Sequence, residues 1–268
     1  MPFFDDKTFI FFYILHMSAH KIIFLNQKGG VGKTTTCVNL GSSLAEMGNK
    51  VLLIDFDSQG NLTGAVSGDS RKATSYDVVV GKVAAKDAVQ ATPYDNLYVM
   101  PGSLDLAGLN LELVGEDKRE FFLSDAITSL SDDFDDILLD CPPSLGLLTM
   151  NAMAWADYVL IPMQCEYFAM EGLNMLMRTI NNVRKTINKD LKIIGILFTM
   201  YTKRAKLNAE VIEDVSTFFP NLVFKTIIPR SIRLAEAPSH GMPINVYDSS
   251  NAGNKAYQSL AKEVIARA

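Results

Sequence analysis

The 268 residues of the chain are enough for one α/β domain with a substantial core, and nothing in the composition requires a second domain. A net charge of −5 argues against a constitutive, high-affinity nucleic-acid binder, and three widely spaced cysteines argue against a disulfide framework or a paired-cysteine metal site. The net charge is −10 over residues 1–159 and +5 over residues 160–268, so the C-terminal half can still carry a local basic patch. We expect a protein of a reducing cytoplasm.

The first sixteen residues differ from the rest of the chain. Their apolar stretch, residues 8–15, is too short to span a bilayer, and Asp5 and Asp6 precede it where a secretory signal would carry positive charge. Met17 lies just before the first convincing strand. We therefore expect translation to start at Met17, and we divide the chain into an N-terminal extension, 1–18, and a single domain, 19–268.

The first predicted strand, residues 22–25, leads into a glycine-rich loop with the sequence Lys-Gly-Gly-Val-Gly-Lys-Thr-Thr. Its three glycines allow successive backbone N–H groups to surround phosphate oxygens, Lys33 can reach terminal phosphates, and the Thr34 hydroxyl can ligate Mg²⁺. Residues 35–47 have helical spacing, and the N-terminus of that helix adds partial positive charge. The candidate phosphate-binding residues are Lys28, Gly29, Gly30, Val31, Gly32, Lys33, Thr34 and Thr35.

Two later strands end in aspartate. Residues 51–54 are followed by Asp55 and Asp57, and residues 137–139 are followed by Asp140. Since ligands bind at the carboxyl ends of parallel strands, these carboxylates are placed to contact Mg²⁺ or an attacking water. For Asp55 or Asp57 taken alone, a side chain that only caps the next turn is the alternative.

Short, nearly continuous apolar runs alternate with helical stretches along almost the whole chain, which is typical of parallel strands covered on both faces. The predicted strands are residues 22–25, 51–54, 97–100, 137–139, 158–161, 193–198 and 223–228. Helical spacing recurs over residues 173–187 and 256–265. The pattern predicts an α/β fold with a doubly wound, mostly parallel sheet and helices on both faces.

The loop departs from the general pattern G-x-x-x-x-G-K-[ST], because Gln27 replaces its first glycine and Lys28 adds a second lysine. In this form it resembles the deviant Walker A loop of the ParA/MinD superfamily of P-loop ATPases. The resemblance implies that residues 19–268 are one ParA-type ATPase domain that binds ATP and Mg²⁺ and turns over slowly. It also implies that Lys28 reaches across a homodimer to the nucleotide of the other subunit. An ordinary solvated loop lysine is the alternative for Lys28.

The aspartate segments carry the same resemblance. Residues 55–61 resemble the family's D-x-D-P-Q-x-N, with Ser58 in place of the usual proline, and residues 140–144 resemble its D-x-P-P-S. By resemblance, Asp57 orients or polarises the hydrolytic water, and Asp55 lies near the metal. The implied metal ligands are Thr34, Asp57 and Asp140, and the implied catalytic residues are Lys28, Lys33 and Asp57.

The C-terminal half narrows the resemblance to one branch. Residues 162–172 resemble the family's P-x-Q-x-E-x-x-x-x-E-G, and residues 228–239 resemble the I-P-R-x-x-R-x-x-E-A-P-S segment of ParA/Soj partitioning proteins. In that group the loop after this strand contacts the adenine, which implies the same contact for Pro229. The resemblance covers roughly residues 20–266.

Basic residues of this half are candidates for DNA binding. Arg204 matches an arginine that partitioning ATPases use against DNA phosphates, and we expect Arg233 to join it. Lys203 and Lys206 could extend the patch, although a charge cluster is usually only a solvated face. Such contacts would be independent of sequence and strongly dependent on salt.

The leading hypothesis is an ATP-dependent DNA-partitioning switch for chromosome or plasmid segregation. An ATP-bound sandwich homodimer would bind nonspecific DNA, and hydrolysis stimulated by a ParB-like partner would release it. The protein would be cytoplasmic and nucleoid-associated. Membrane contact is not expected, because the last helix has only Lys262 and Arg267 as late cations.

Other functions are alternatives at this stage. The chain could be a MinD-like membrane ATPase or an ATPase that positions another cargo. An iron–sulfur carrier related to the nitrogenase iron protein would need paired cysteines, and Cys141 offers no convincing pair. A nucleotide-gated binding module without turnover is the non-enzymatic alternative.

Overall fold

The structure is a computed structural model that describes residues 19–166 and 169–268, and the expected N-terminal extension, 1–18, lies outside the described residues. Its strands are β1 His20–Phe24, β2 Val51–Asp55, β3 Gln90–Ala91, β4 Leu97–Met100, β5 Asp136–Asp140, β6 Tyr158–Gln164 and β7 Lys192–Thr199. They form one sheet in the order β3-β4-β2-β5-β1-β6-β7. All neighbouring pairs are parallel except β3–β4, which confirms the predicted mostly parallel sheet.

The helices predicted from apolar spacing are confirmed as α1, α7 and α11 of the structure. The described helices are α1 Lys33–Glu46, α2 Asn61–Ala65, α3 Ser75–Val79, α4 Leu109–Glu112, α5 Phe122–Ile127, α6 Leu147–Trp155, α7 Ala169–Thr186, α8 Lys206–Phe218, α9 Ile232–Glu236, α10 Ile244–Tyr247 and α11 Ala252–Arg267. Short 3₁₀ turns occur at Ala85–Ala88, Leu104–Ala107, Thr128–Leu130 and Ala237–His240. None of the helices in the described ranges is long and apolar enough to cross a bilayer.

Alternate residues of the central strands contribute to two separate hydrophobic cores, one on each face of the sheet. Ile22 and Phe24 of β1 pack in the core that includes side chains of α1 and α11. Ile23 belongs to the other core, which includes side chains of α6 and α7. Because both faces are covered, the strands read as continuous apolar runs rather than alternating ones.

The predicted strand at residues 223–228 is wrong. The segment lies beside β7 and forms one isolated bridge to it. The backbone N–H groups of Lys225 and Thr226 donate instead to the carboxylate of Glu263 in α11, at 3.1 Å each. The N–H groups of Phe224 and Ile228 still donate to β7, whereas that of Thr226, which a continuous ladder would need, is diverted to a side chain of a distant helix.

A polar cluster joins the amino ends of β1 and β5. His20 Nδ1 lies 3.1 Å from Oδ1 of Asp136, and the same carboxylate accepts a hydrogen bond from Asn49 at 2.7 Å. The hydrogen bond to Asp136 raises the pKa of His20 above its ordinary value, and burial partly opposes that shift. Protonated His20 is therefore stabilised more in the folded state than in the unfolded chain.

We expect this pair to make stability depend on pH. Because the folded pKa of His20 is raised, its contribution is fully present below the unfolded pKa of about 6.5 and is lost as the pH rises through the folded value. Urea unfolding at about pH 5 and about pH 8.5 should show a smaller pH-dependent loss of stability for His20→Asn than for the wild type. His240→Asn, which changes an exposed histidine, is the control. An unchanged pH dependence in His20→Asn would contradict the assignment.

Candidate active site

The glycine-rich loop connects β1 to α1, as the sequence predicted. Gly30 and Gly32 have φ values of +73° and +89°, which side chains other than glycine rarely adopt. The helix α1 begins at Lys33, directly after Gly32, so its unpaired N–H groups lie at the end of the loop. The loop thus combines a permissive backbone with a helix N-terminus, which suits an anionic ligand.

Two side chains from neighbouring strands hold the loop. Gln164, at the end of β6, donates from Nε2 to the carbonyl of Gly30 at 2.8 Å. Thr199, at the end of β7, donates to the carbonyl of Val31 at 2.8 Å. Gln164 belongs to the P-x-Q segment of residues 162–172, but the sequence indicates a role for neither residue. A polar side chain that ends a buried strand at the carboxyl edge is the signal that could have identified both.

Lys33 is buried within the site, with only 7% of its surface exposed. Its Nζ lies 3.4 Å from the carbonyl of Lys28. Burial lowers the pKa of Lys33, and the negative charge of Asp140 opposes that shift. The ammonium group of Lys33 therefore lies inside the phosphate-binding loop of its own subunit.

Lys28 has the opposite environment, because 56% of its side chain is exposed. Its Nζ forms an ion pair with the carboxylate of Glu166, just beyond the end of β6. Its backbone N–H donates to Oδ1 of Asn26 at 2.9 Å. The two lysines of the loop are thus separated, one inside the site and one at the surface.

Asp55 and Asp140 face each other in register at the tips of β2 and β5, and both are fully buried. Burial raises the pKa of Asp140 to about 8, with the charge of Asp55 adding to the shift. Burial also raises the pKa of Asp55 to about 6, although hydrogen bonds from the hydroxyl and N–H of Thr63, at 2.6 and 2.8 Å, oppose it. Two carboxyl groups therefore compete for positive charge at one edge of the sheet.

The residues at this edge fit a magnesium ion. Thr34 donates its hydroxyl to Oδ2 of Asp140 at 2.5 Å, whereas the buried Oδ1 of Asp140 has no hydrogen-bond partner in the described part of the chain. Asp57 is 9% exposed and accepts the N–H of Gln59 at 3.0 Å. Residues 19–166 and 169–268 contain no cluster of three His, Cys, Asp or Glu side chains spaced for a metal. Mg²⁺ would therefore need phosphate oxygens and water to complete its coordination.

A cavity of about 290 Å³ lies beside the loop. Gly32 and Thr35 line it on the side of the loop, and Pro229 and Met200 line it on the side of the strand ends. Pro229 is held there by an isolated bridge to Tyr201. Pro229 thus lines a cavity next to the phosphate loop, and its contact with the adenine stays a prediction.

The two arginines expected to bind DNA lie in different environments. Arg204 is exposed in the loop after β7, close in sequence to the exposed Lys203 and Lys206. Arg233, in α9, lies 3.0 Å from the carboxylate of Glu236 and 3.9 Å from that of Asp248. Because two carboxylates offset the charge of Arg233, the arrangement favours Arg204 as the stronger phosphate ligand.

The backbone after β4 packs tightly against the aspartates. A Cβ placed on Gly102 would lie 3.0 Å from Cγ of Asp55 and 3.1 Å from the carbonyl oxygens of Asp55 and Asp57. The N–H of Gly102 donates to the hydroxyl of Thr63 at 3.0 Å, which in turn donates to Asp55. Glycine therefore permits an approach on which the position of both aspartates depends.

We expect Gly102→Ala to destabilise the protein by about 1–3 kcal/mol, because the added methyl group overpacks this contact. Nucleotide hydrolysis should also fall, since Asp57 would be displaced. Gly64→Ala is the matched control, because a Cβ there meets nothing within 4 Å. Urea unfolding and a phosphate-release assay on both variants make the comparison. Equal stability and activity of the two variants would show that the close approach of Gly102 does not fix the positions of Asp55 and Asp57.

Comparison with known proteins agrees with this geometry. Residues 19–193 match the family model described as an AAA domain. The chain is 50% identical to the chromosome-partitioning ATPase Soj of Treponema pallidum (strain Nichols), over 92% of this chain and 97% of that protein. It is 48% identical to the sporulation initiation inhibitor protein Soj of Bacillus subtilis (strain 168), over 91% of this chain and 98% of that protein.

A solved structure gives the same fold. Cobyrinic acid a,c-diamide synthase from Mycobacterium smegmatis, with bound ADP and magnesium, superposes with a TM-score of 0.80 at 35% identity, covering 91% of this chain and 93% of that one. The sequence identity to the two Soj proteins is higher. With that identity extending over almost their whole length, and with the deviant loop in place between β1 and α1, the chain belongs to the ParA/Soj family of partitioning ATPases.

Proposed function

We propose that the protein is an ATP-dependent DNA-partitioning switch for chromosome or plasmid segregation. ATP and Mg²⁺ are its cofactors, in keeping with the ADP and magnesium bound to its structural relative. The ATP-bound protein is a sandwich homodimer that holds DNA nonspecifically at the nucleoid, within the cytoplasm. Hydrolysis, stimulated by a ParB-like partner, returns it to a monomer that releases DNA. The name of the Treponema pallidum relative supports the partitioning role.

The observation that carries the proposal is the contrast between the two lysines of the loop. Lys33 is buried in its own site, whereas Lys28 is more than half exposed and paired with Glu166 at the surface. A cation outside its own phosphate site is available to a nucleotide held by a second subunit. Completion of each site by the partner's lysine would make dimerisation depend on ATP.

The chain's own residues suit hydrolysis. The N–H groups of the loop and Lys33 would bind the phosphates, and Thr34 and Asp140 would hold Mg²⁺. When bound, Mg²⁺ neutralises charge on the phosphate oxygens. Asp57, positioned by the N–H of Gln59, would accept a hydrogen bond from the attacking water and orient it toward the terminal phosphate.

We expect Asp57→Ala to hydrolyse ATP about 100-fold more slowly or worse, because the water loses its orienting carboxylate. ATP, but not ADP, should confer DNA retention on the wild type, and the variant should stay bound after excess ATP is removed. Filter binding at about 50 mM and about 200 mM salt tests this, since phosphate contacts weaken steeply over that range. Asp87→Ala, at an exposed aspartate, is the control. If neither protein retains DNA in any nucleotide state, a membrane- or cargo-positioning ATPase becomes the better explanation.

The two lysines should give separable defects. We expect Lys28→Ala to bind ATP as a monomer but not to dimerise, because only the contact across the interface is lost. Lys33→Ala should lose nucleotide binding itself, and with it dimerisation. Fluorescent-nucleotide titration and light scattering after gel filtration measure the two properties. A Lys28→Ala protein that dimerises with ATP as the wild type does would refute the role of Lys28.

A further inference from the structure

The exposed face of α7 is a basic strip that the active site does not use. The helix buries Leu173, Leu176, Met177, Ile180 and Val183 against the core. On the opposite face, Arg178 and Lys185 are seven residues apart, which aligns them across about two helical turns. Asn181 and Asn182 are exposed between them. We call Arg178, Asn181, Asn182 and Lys185 the α7 ridge.

The charged side chains of α7 and of the residues just after it, up to residue 189, are almost all positive. From residue 172 to residue 189 the sequence contains no Asp or Glu. It contains four cations, Arg178, Arg184, Lys185 and Lys189, and all four are exposed. In the ranges that the structure describes, none of them lies within 4.0 Å of a carboxylate.

Favourable interaction with the helix dipole does not account for the ridge. Cations are stabilised near a helix C-terminus, but only within the last turn, which here contains Arg184 and Lys185. Arg178 lies two turns earlier. The next helix, α8, has an ordinary mixed surface, with Lys206 accompanied by Glu210, Glu213 and Asp214. The stretch from residue 172 to residue 189 therefore lacks the acidic residues that accompany Lys206 in α8.

We infer that the α7 ridge binds the phosphate backbone of duplex DNA, as a contact site separate from Arg204. This inference rests on the proposed DNA-partitioning function. Arginine and lysine neutralise phosphates, and asparagine amides donate to phosphate and sugar oxygens without reading bases. At 1.5 Å per residue, Arg178 and Lys185 are about 10 Å apart along the helix. This distance equals about three phosphate spacings of one DNA strand, measured along the DNA axis.

Position in the fold makes this contact independent of the nucleotide site. The helix α7 starts after the carboxyl end of β6 and returns to the amino end of the parallel strand β7. The ridge therefore extends away from the phosphate loop. Each subunit carries one ridge, so an ATP-dependent homodimer presents two, and linked contacts raise the overall affinity without new chemistry.

An anionic membrane is a poorer match for the ridge than DNA. A helix that lies in a membrane surface inserts its apolar face into the lipid. The apolar face of α7 is buried in the core, and Met175 is the large apolar side chain that the helix leaves more than half exposed. Amides and cations without an apolar anchor fit a polyanion with hydrogen-bond acceptors.

The test compares two double variants with equal loss of charge. Arg178→Gln/Lys185→Gln removes the cations of the ridge, and Lys255→Gln/Lys262→Gln removes two exposed cations of α11. With ATP at about 0.1 M salt, we expect the ridge variant to bind duplex DNA about 10- to 60-fold more weakly than the wild type for each subunit whose ridge contacts DNA, equally for two unrelated sequences. The slope of log affinity against log salt should fall by about 2 for each subunit that contacts DNA. The α11 variant should bind as the wild type does, and ATP-dependent dimerisation should be unchanged in both.

The outcomes separate this inference from the proposed function. If the wild type retains DNA and the ridge variant retains it equally well, the ridge is refuted while the partitioning proposal stands. If the wild type retains no DNA in any nucleotide state, both are refuted. If the ridge variant loses binding to phosphatidylglycerol vesicles but not to DNA, the ridge is a membrane contact. Should the double variant fail to fold, Arg178→Gln and Lys185→Gln apply the same test singly, each with a slope change of about 1.

Discussion

The active site depends on two carboxyl groups that the sheet buries side by side. The register of β2 and β5 pairs Asp55 with Asp140 at a water-excluded edge. Buried carboxylates are tolerated only when they are protonated, hydrogen-bonded or faced by a cation. Asp55 is satisfied by donors from Thr63, whereas Asp140 keeps one oxygen without a donor in the described chain. Asp140, next to the hydroxyl of Thr34, is therefore the buried carboxyl group that a bound cation would stabilise most.

That constraint explains why the loop uses two lysines. The negative charge of Asp140 opposes the lowering of the pKa of Lys33 by burial, so the charge of Lys33 is already engaged inside the subunit. In the proposed sandwich dimer, a cation for the neighbouring subunit must come from elsewhere, and Lys28 is held at the surface by Glu166. An exposed ion pair contributes only about 0–1 kcal/mol, so Lys28 can exchange Glu166 for a nucleotide phosphate at little cost.

Features set by local sequence were predictable, and features set by distant contacts were not. The glycine spacing and the aspartates at strand ends are local signals, and they located the loop, Asp55 and Asp140. Residues 223–228 have the apolar pattern of a strand, but the carboxylate of Glu263, almost forty residues further on, accepts the N–H groups of Lys225 and Thr226. The hold of Thr199 on the loop likewise spans 168 residues of sequence. No periodicity carries that information, because each contact depends on the finished packing of the sheet.

An acidic protein that binds DNA needs its cations gathered into separate strips. A net charge of −5 repels a polyanion at long range, so the proposed attachment depends on places where carboxylates are missing. Arg204 lies at one such place, at the carboxyl edge of the sheet, and the α7 ridge is a second that extends toward the opposite edge. One subunit offers each strip once, and a dimer offers each twice. In the proposed switch, ATP thus controls how many weak strips act together, and because linked weak contacts gain affinity steeply with number, dimerisation alone can move the protein between free and bound states.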